Sequence, residues 1–372
     1  PQIAYLTDIF KDLWPAIPAK AFLTSEHYRG MGGWSIYISF YCGLTSTGLT
    51  LWTNFVAQNA SDQAVYFCQL GDDSKFLIKW QGRFVNCAGD YSQYDQSQTF
   101  PLISMETFWY EIMGLDDDTL RTLVEGLQQD FKMFFKEPQL DREGNVVKKV
   151  TLKTDPQRIT GGPTTSLGGS LVGITVALKW LLDMIDQINV GKIRDLDELC
   201  SWLGRVPSKC CMAHGLRIKW KQGLGIAGSE MLKYITLPCE PFKLKMGHDS
   251  LVCTYVECPL PSRVLPLVKT LKIPGKCFGP KPGRWLQAFR NAATGYAKEC
   301  CPRPLSALVK TYSLPRVIVD TRNPYSVVAT DTHKSTYRQT AYISNHELTY
   351  EDLSNVQLTH RAYDVLAERY KV

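Results

Sequence analysis

Several features that would assign this chain elsewhere are missing. Its twelve cysteines form no framework of evenly spaced pairs, and a chain of this length does not need disulfide staples. The patch Cys210-Cys211-Met212-Ala213-His214 lacks a CxxC spacing, so reduced thiols are expected there rather than a zinc site. No internal repeat, low-complexity tract or signal peptide is found. The chain begins at Pro1 rather than Met, which suits a fragment or a processed product. No apolar run is continuous enough for a membrane span. The nearest to one, Trp34 to Val56, is studded with Ser, Thr, Asn and Gly and reads as a buried helix. No large excess of one charge exists either. The net charge is +6 and the pI about 8.6, which permits a nucleic-acid partner without demanding one.

What is present is an ordinary globular composition. Apolar residues make up 44% and charged residues 21% of 372, enough for a sizeable core and for two or three structural units. Residues 1–62 read as apolar helices with Gly-rich breaks. Ala64–Leu70, Ser74–Trp80 and Arg83–Gly89 read as strands, with Gln81-Gly82 as a turn between the last two. Residues 105–136 read as helical, with Asp116, Asp117 and Asp118 opening the second helix, where acidic residues suit an N-terminus. Residues 139–153 read as a hairpin carrying Lys148, Lys149 and Lys153. The Gly-rich loop Thr160–Gly169 opens a long helix to about Asn189, closed by Val190-Gly191. A helix over Leu196–Leu203 follows, then strands Leu216–Trp220 and Met231–Leu237. From Pro259 the chain is Pro-punctuated and basic. It ends in a helix over Tyr350–Tyr370 with a break near Asn355.

Three blocks carry chemistry. Gly71-Asp72-Asp73 lies between two strands, although taken alone it is also an ordinary hairpin turn. Asp90-Tyr91-Ser92-Gln93-Tyr94-Asp95 follows the third strand. If Gln81-Gly82 is a two-residue hairpin loop, Trp80 faces Arg83, and the same register places Asp73 opposite Asp90, about 5 Å apart. Asp72, Asp73 and Asp90 then share one sheet edge. Carboxylates that close repel and call for cations. Mg²⁺ accepts one or two carboxylates together with substrate phosphates, and two such ions serve in-line phosphoryl or nucleotidyl transfer. The third block, Thr160 to Ser170, precedes a long helix. Its glycines allow close backbone approach, and a helix N-terminus favours anions. It is not a Walker loop, because no Gly-Lys-Ser/Thr occurs there. A plain helix-entry loop is the simpler reading of this block in isolation.

Together these blocks resemble the palm of viral RNA-dependent RNA polymerases. Asp90-x4-Asp95 is similar to motif A, which implies that Asp90 binds metal and Asp95 senses the incoming ribose. Thr160-Gly161-x3-Thr165-x3-Gly169-Ser170 resembles motif B, implying nucleotide contacts from Gly161, Thr165 and Ser166. Gly71-Asp72-Asp73 resembles motif C, with Asp72 the principal metal ligand and Asp73 its neighbour. Gly169 stands where the family usually has Asn. The order is C, A, B instead of A, B, C, as in permutotetraviruses and, less closely, birnaviruses. His214 to Lys221 resembles motif D, whose Lys protonates pyrophosphate. Lys219 and Lys221 are both candidates, and Lys219 is equally readable as a solvated strand residue. Met231-Leu232-Lys233-Tyr234-Ile235 resembles the motif E hairpin. No clear motif F is found, and Lys20 and Arg29 are candidates little better than chance.

The resemblance implies an α/β fold of the α+β kind: a right-hand polymerase with a permuted, ferredoxin-like antiparallel palm. Its segments are fingers at 1–62, palm at 63–97, a fingers insertion at 98–160, palm at 161–258, and a thumb with the C-terminal region at 259–372. It further implies two Mg²⁺ (or Mn²⁺) ions, an RNA template and product strand, NTPs, a protein or protein-linked primer as in some relatives, and the host cytoplasm as the place of action. Phosphate contacts are expected from Lys148 and Lys149 and from Lys269, Lys272, Lys276, Lys281, Arg284 and Arg290. Two rivals remain. One is a reverse transcriptase, which shares the palm. The other is a non-catalytic nucleic-acid-binding protein with a decayed palm.

Overall fold

The structure, a computed structural model, describes residues 32–40, 46–127, 131–134, 139–140, 142–143, 145–147, 151–154, 157–158, 164–246, 249–264, 293, 296–303, 305–312 and 352–370. Gly161 and Thr160 lie outside the described residues. So do Lys20, Arg29, Lys148, Lys149 and the basic residues expected between Lys269 and Arg290.

The first described elements are β1 (Ser35–Phe40) and α1 (Ser46–Asn59). The single buried helix expected over Trp34–Val56 is therefore wrong in its first part. Trp34, Ile36 and Ile38 are buried at 0%, 0% and 1% exposure, and their spacing of two is a strand period, not a helical one. Next come β2 (Ala64–Leu70), β3 (Asp73–Trp80) and β4 (Arg83–Ser92), each close to the strand expected from sequence. The short helix α2 (Tyr94–Ser97) is followed by α3 (Phe100–Ile112) and α4 (Asp117–Leu127). The helical reading of 105–136 fails at its end. Phe131 and Phe134 lie in β5 (Phe131–Phe134), and β6 (Gln139–Leu140), β7 (Val146–Val147) and β8 (Thr151–Thr154) complete two nested antiparallel pairs, β5 with β8 and β6 with β7.

The long helix α5 (Thr165–Asn189) starts inside the expected Gly-rich loop, so Gly168 and Gly169 are helical. It is succeeded by α6 (Leu196–Leu203), α7 (Val206–Ala213) and β9 (Arg217–Leu224). The expected strand Met231–Leu237 is instead a hairpin. β10 (Glu230–Met231) turns at Leu232 and Lys233 into β11 (Tyr234–Met246), which pairs with β12 (Asp249–Pro259). The short helices α8 (Pro261–Val264) and α9 (Leu305–Tyr312) follow, and α10 (His360–Tyr370) is the last element. The terminal helix does not reach back through 352–359, because the chain turns at Ser354 and Asn355 and then runs beside β11. Glu240 N–H donates to the Gln357 carbonyl, and Thr359 N–H donates to the Pro238 carbonyl.

The protein is mixed α and β. Its main sheet has the order β1-β2-β3-β4-β9. Three pairings are antiparallel, but β1 joins β2 in parallel, so the sheet is mixed and not wholly antiparallel. β1 comes from the segment expected to be separate fingers. One sheet face, with Val65, Phe67, Phe76, Ile78, Val85 and Cys87, packs on Trp180, Leu181, Met184 and Ile185 of α5. The other face, with Tyr66, Cys68 and Leu77, packs on Leu49, Trp52 and Val56 of α1 and on Met231 and Tyr234. Each large apolar side chain buried this way stabilises by roughly 1.5–3 kcal/mol. The central strands are thus buried on both faces.

α5 is long and apolar enough to cross a membrane, but 78% of its most apolar window is buried inside the protein. It is the central core helix of the described residues.

Candidate active site

The β3–β4 hairpin closes through Gln81 and Gly82, whose φ values are +50° and +71°. Two left-handed residues give a loop whose twist matches the strands. The ladder then runs from Trp80 opposite Arg83 to Asp73 opposite Asp90, the register expected from sequence. Every second residue of a strand shares a face. Asp73 and Asp90 therefore face the same side as Lys75 and Leu77, away from α5. Asp72 lies in the preceding turn, and Tyr91 N–H donates to its carbonyl at 3.0 Å.

That turn is tied to the core helix. Gly71 (φ +56°) donates its N–H to Ser170 Oγ at 2.7 Å, and Ser170 Oγ in turn donates to the Ser166 carbonyl at 2.7 Å. Gln69 Nε2 donates to the Gly71 carbonyl at 2.8 Å. The turn carrying Asp72 is thus fixed to the first turns of α5.

The carboxylates feel one another. Burial raises the Asp72 pKa, and Asp90 and Asp95 raise it further. Burial pushes the Asp73 carboxyl up to about 7, with Asp72 and Asp90 adding to the rise. Leu232 N–H, 2.8 Å from Asp73 Oδ2, and the Lys233 charge oppose it. Among the described residues, no group of three or more His, Cys, Asp or Glu side chains stands ready to hold a metal ion. Asp73 commits its Oδ2 to Leu232 N–H. Asp72 and Asp90 are left as the pair, and one or two carboxylates are what Mg²⁺ takes when it keeps waters and phosphates. Hard oxygen donors under mutual repulsion fit such an ion.

Asp95 lies half-buried in α2, close enough for its charge to act on Asp72. The preceding Tyr94 stacks on Tyr91 with ring centroids 4.5 Å apart, and its hydroxyl donates to the Gly169 carbonyl at 2.6 Å. A Cβ at Gly169 would lie 3.3 Å from Tyr94 Cε1, 3.7 Å from Gln98 Nε2 and 3.8 Å from Gly71 Cα. Gly169 is therefore the contact point of all three sequence blocks. Its small size is needed for close approach, not for an unusual backbone angle. Thr165 and Ser166 begin α5, with Ser166 exposed.

Beneath these elements lies a polar group that sequence reading missed. Arg158, 3% exposed, pairs with the fully buried Glu106 at 2.5 Å. It also donates through Nε to Gln98 Oε1, and through Nη1 to the Thr164 carbonyl at 3.3 Å. Tyr110 Oη donates to Glu106 at 2.6 Å. An arginine only donates, so Gln98 must turn its oxygen toward Arg158 and its NH₂ away. That buried NH₂ has no partner among the described residues and lies beside Gly169. A Cβ at Gly168 would come within 2.1 Å of the Glu106 carboxyl, which explains the second glycine. No local signal marks Arg158, since its partners lie far from it in sequence.

Of the two lysine candidates, Lys219 stands opposite Asp90 in the β4–β9 ladder, with Nζ 3.4 Å from Asp90 Oδ2. Lys221 turns to Glu230 at 3.2 Å, which α10 also holds through Arg369. The Lys219 pair is 69% and 36% exposed, and such pairs contribute at most about 1 kcal/mol, so it yields readily to a ligand. A cleft of about 660 Å³ lies between Asn86, Ala88 and Lys221 of the sheet and Arg361 and Arg369 of α10.

The chain matches no protein-family model and no curated protein.

Proposed function

We propose that this protein is an RNA-dependent RNA polymerase with a permuted palm, joining nucleotides to an RNA strand under template direction. The observation that supports it most is the register of β3 and β4, which sets Asp73 opposite Asp90 with Asp72 and Asp95 beside them. In this reading the sheet is the palm, the β10–β11 hairpin lies against it, and RNA, NTPs and a protein-linked primer are the partners, in the host cytoplasm.

Asp72 and Asp90 hold the divalent ions, Mg²⁺ or Mn²⁺. When bound, these ions neutralise phosphate charge and activate the attacking hydroxyl. Asp73 anchors the Leu232 turn and adds negative charge to the site. Asp95 accepts a hydrogen bond from the ribose, so a sugar lacking the 2′-hydroxyl leaves its carboxylate unpaired. Lys219 gives a proton to the departing pyrophosphate once substrate draws it from Asp90. Gly169 and Gly168 let α2, α3 and the Asp72 turn approach α5 closely, and Arg158 locks that arrangement.

The test is incorporation of ATP and of dATP by the purified chain on a poly(U) template with Mg²⁺. Preference for ATP supports the proposal. Preference for dATP selects the reverse-transcriptase alternative, and no incorporation selects the non-catalytic one.

A further inference from the structure

Two-residue hairpin turns recur among the described residues, and two of them contrast. In one, Trp80 pairs with Arg83 across Gln81 and Gly82. Glycine takes the second left-handed position there without steric conflict. In the other, Met231 pairs with Tyr234 across Leu232 and Lys233, whose φ values are +53° and +64°. Neither is glycine, and a side chain with a Cβ resists that region. The ordinary solution occurs at one turn and is absent at the other.

The second turn is held from both sides. Asp73 Oδ2 accepts Leu232 N–H at 2.8 Å, and the Lys233 carbonyl accepts Leu260 N–H at 2.8 Å. Met231 and Tyr234 are buried in the core on the α1 face. Lys233 itself is exposed, one residue from the group that Asp73 clasps. Its charge bears on both Asp72 and Asp73.

We propose that Lys233 is a positioning residue that sets the divalent-cation affinity of the Asp72–Asp90 pair, and that the left-handed turn is retained because it carries the ammonium to that pair. The inference rests on the metal-dependent reading above. An ammonium whose charge reaches the carboxylates partly neutralises them before a metal arrives. It also opposes the further positive charge of the ion. Affinity in the absence of substrate is thereby kept low, and the ion enters with the phosphates of a nucleotide.

The test is Mn²⁺ binding to the full chain without nucleotide, followed by the electron paramagnetic resonance signal of free Mn²⁺. Lys233→Met is expected to tighten binding about fivefold, the effect of removing one unit charge across a solvated separation. Lys233→Arg is expected to leave it unchanged. Lys233→Gly is expected to tighten binding equally and to melt higher than Lys233→Met, because the strain is relieved. Unchanged affinity in Lys233→Met overturns the inference, and the polymerase reading survives if Asp72→Asn still loses Mn²⁺. If the wild-type chain binds no Mn²⁺, both fall. If Lys233→Gly melts below Lys233→Met, the turn is not strained and the reason given for its retention is wrong.

Discussion

Asp73 stands directly across from Asp90 in the β3–β4 ladder, two acids on one face of a sheet whose other face is packed on a core helix. Such a pair carries a stability penalty when both are ionised. The penalty has a measurable pH signature.

Folding raises the carboxyl pKa of Asp72, and raises that of Asp73 from 3.8 to about 7, by burial first and by neighbouring carboxylates second. A raised pKa means that the folded state keeps a proton which the unfolded chain has released. Stability therefore falls as pH rises through the window from about 4 to about 7. In EDTA the melting temperature is expected to drop between pH 5 and pH 8, by an amount equivalent to roughly 1–3 kcal/mol. Asp73→Asn keeps an acceptor for Leu232 N–H and should flatten the profile. A wild-type profile already flat would contradict the assignment.

Gly169 tests the contact between the blocks. A Cβ there would press Tyr94 at 3.3 Å, so Gly169→Asn is expected to destabilise by about 1–3 kcal/mol, as overpacking does, in place of simply adding an amide to the site. Asp95→Ala, on a half-buried residue, is expected to leave melting nearly unchanged while eroding the ATP/dATP incorporation ratio. An unchanged ratio would place ribose recognition elsewhere.

The Arg158–Glu106 pair is buried on both sides. Removing one partner strands the other charge, so Arg158→Ala is expected to cost about 3–5 kcal/mol, read by urea denaturation. Gly168→Ala, which would meet the Glu106 carboxyl at 2.1 Å, should destabilise through the same group. Near-wild-type stability in Arg158→Ala would show that this pair does not lock α5 to α3.

Lys219 and Lys221 are separable. Lys219→Ala is expected to lower turnover by about a hundredfold, as loss of a general acid does, with little change in melting because its ion pair is exposed. Lys221→Ala, two residues along on β9, should leave turnover nearly intact. Equal losses would remove the distinction that the Asp90 contact draws between them.

The legible part of this protein was local. Gln81-Gly82 is a strong turn signal, and from it the pairing of Asp73 with Asp90 followed by counting. The Trp34–Val56 run misled because a buried strand and a buried helix both read as apolar, and only the spacing of Trp34, Ile36 and Ile38 separates them. The Leu232–Lys233 turn carries no turn residues and is held by Asp73, far away in sequence. Arg158, Gln98 and Glu106 meet only in the folded chain, so no window of sequence contains their relation. The parallel placement of β1 beside β2 depends likewise on α1 crossing between them.

The most direct measurement is poly(U)-templated ATP incorporation by the purified wild-type chain, Asp72→Ala and Asp90→Ala, each with Mg²⁺ and with EDTA, alongside melting in EDTA. The wild type is expected to incorporate ATP only with Mg²⁺, and both variants to lose incorporation while melting at or above the wild-type temperature, since each relieves repulsion among the carboxylates. Incorporation near the wild-type level by either variant, or none by the wild type, would contradict the account.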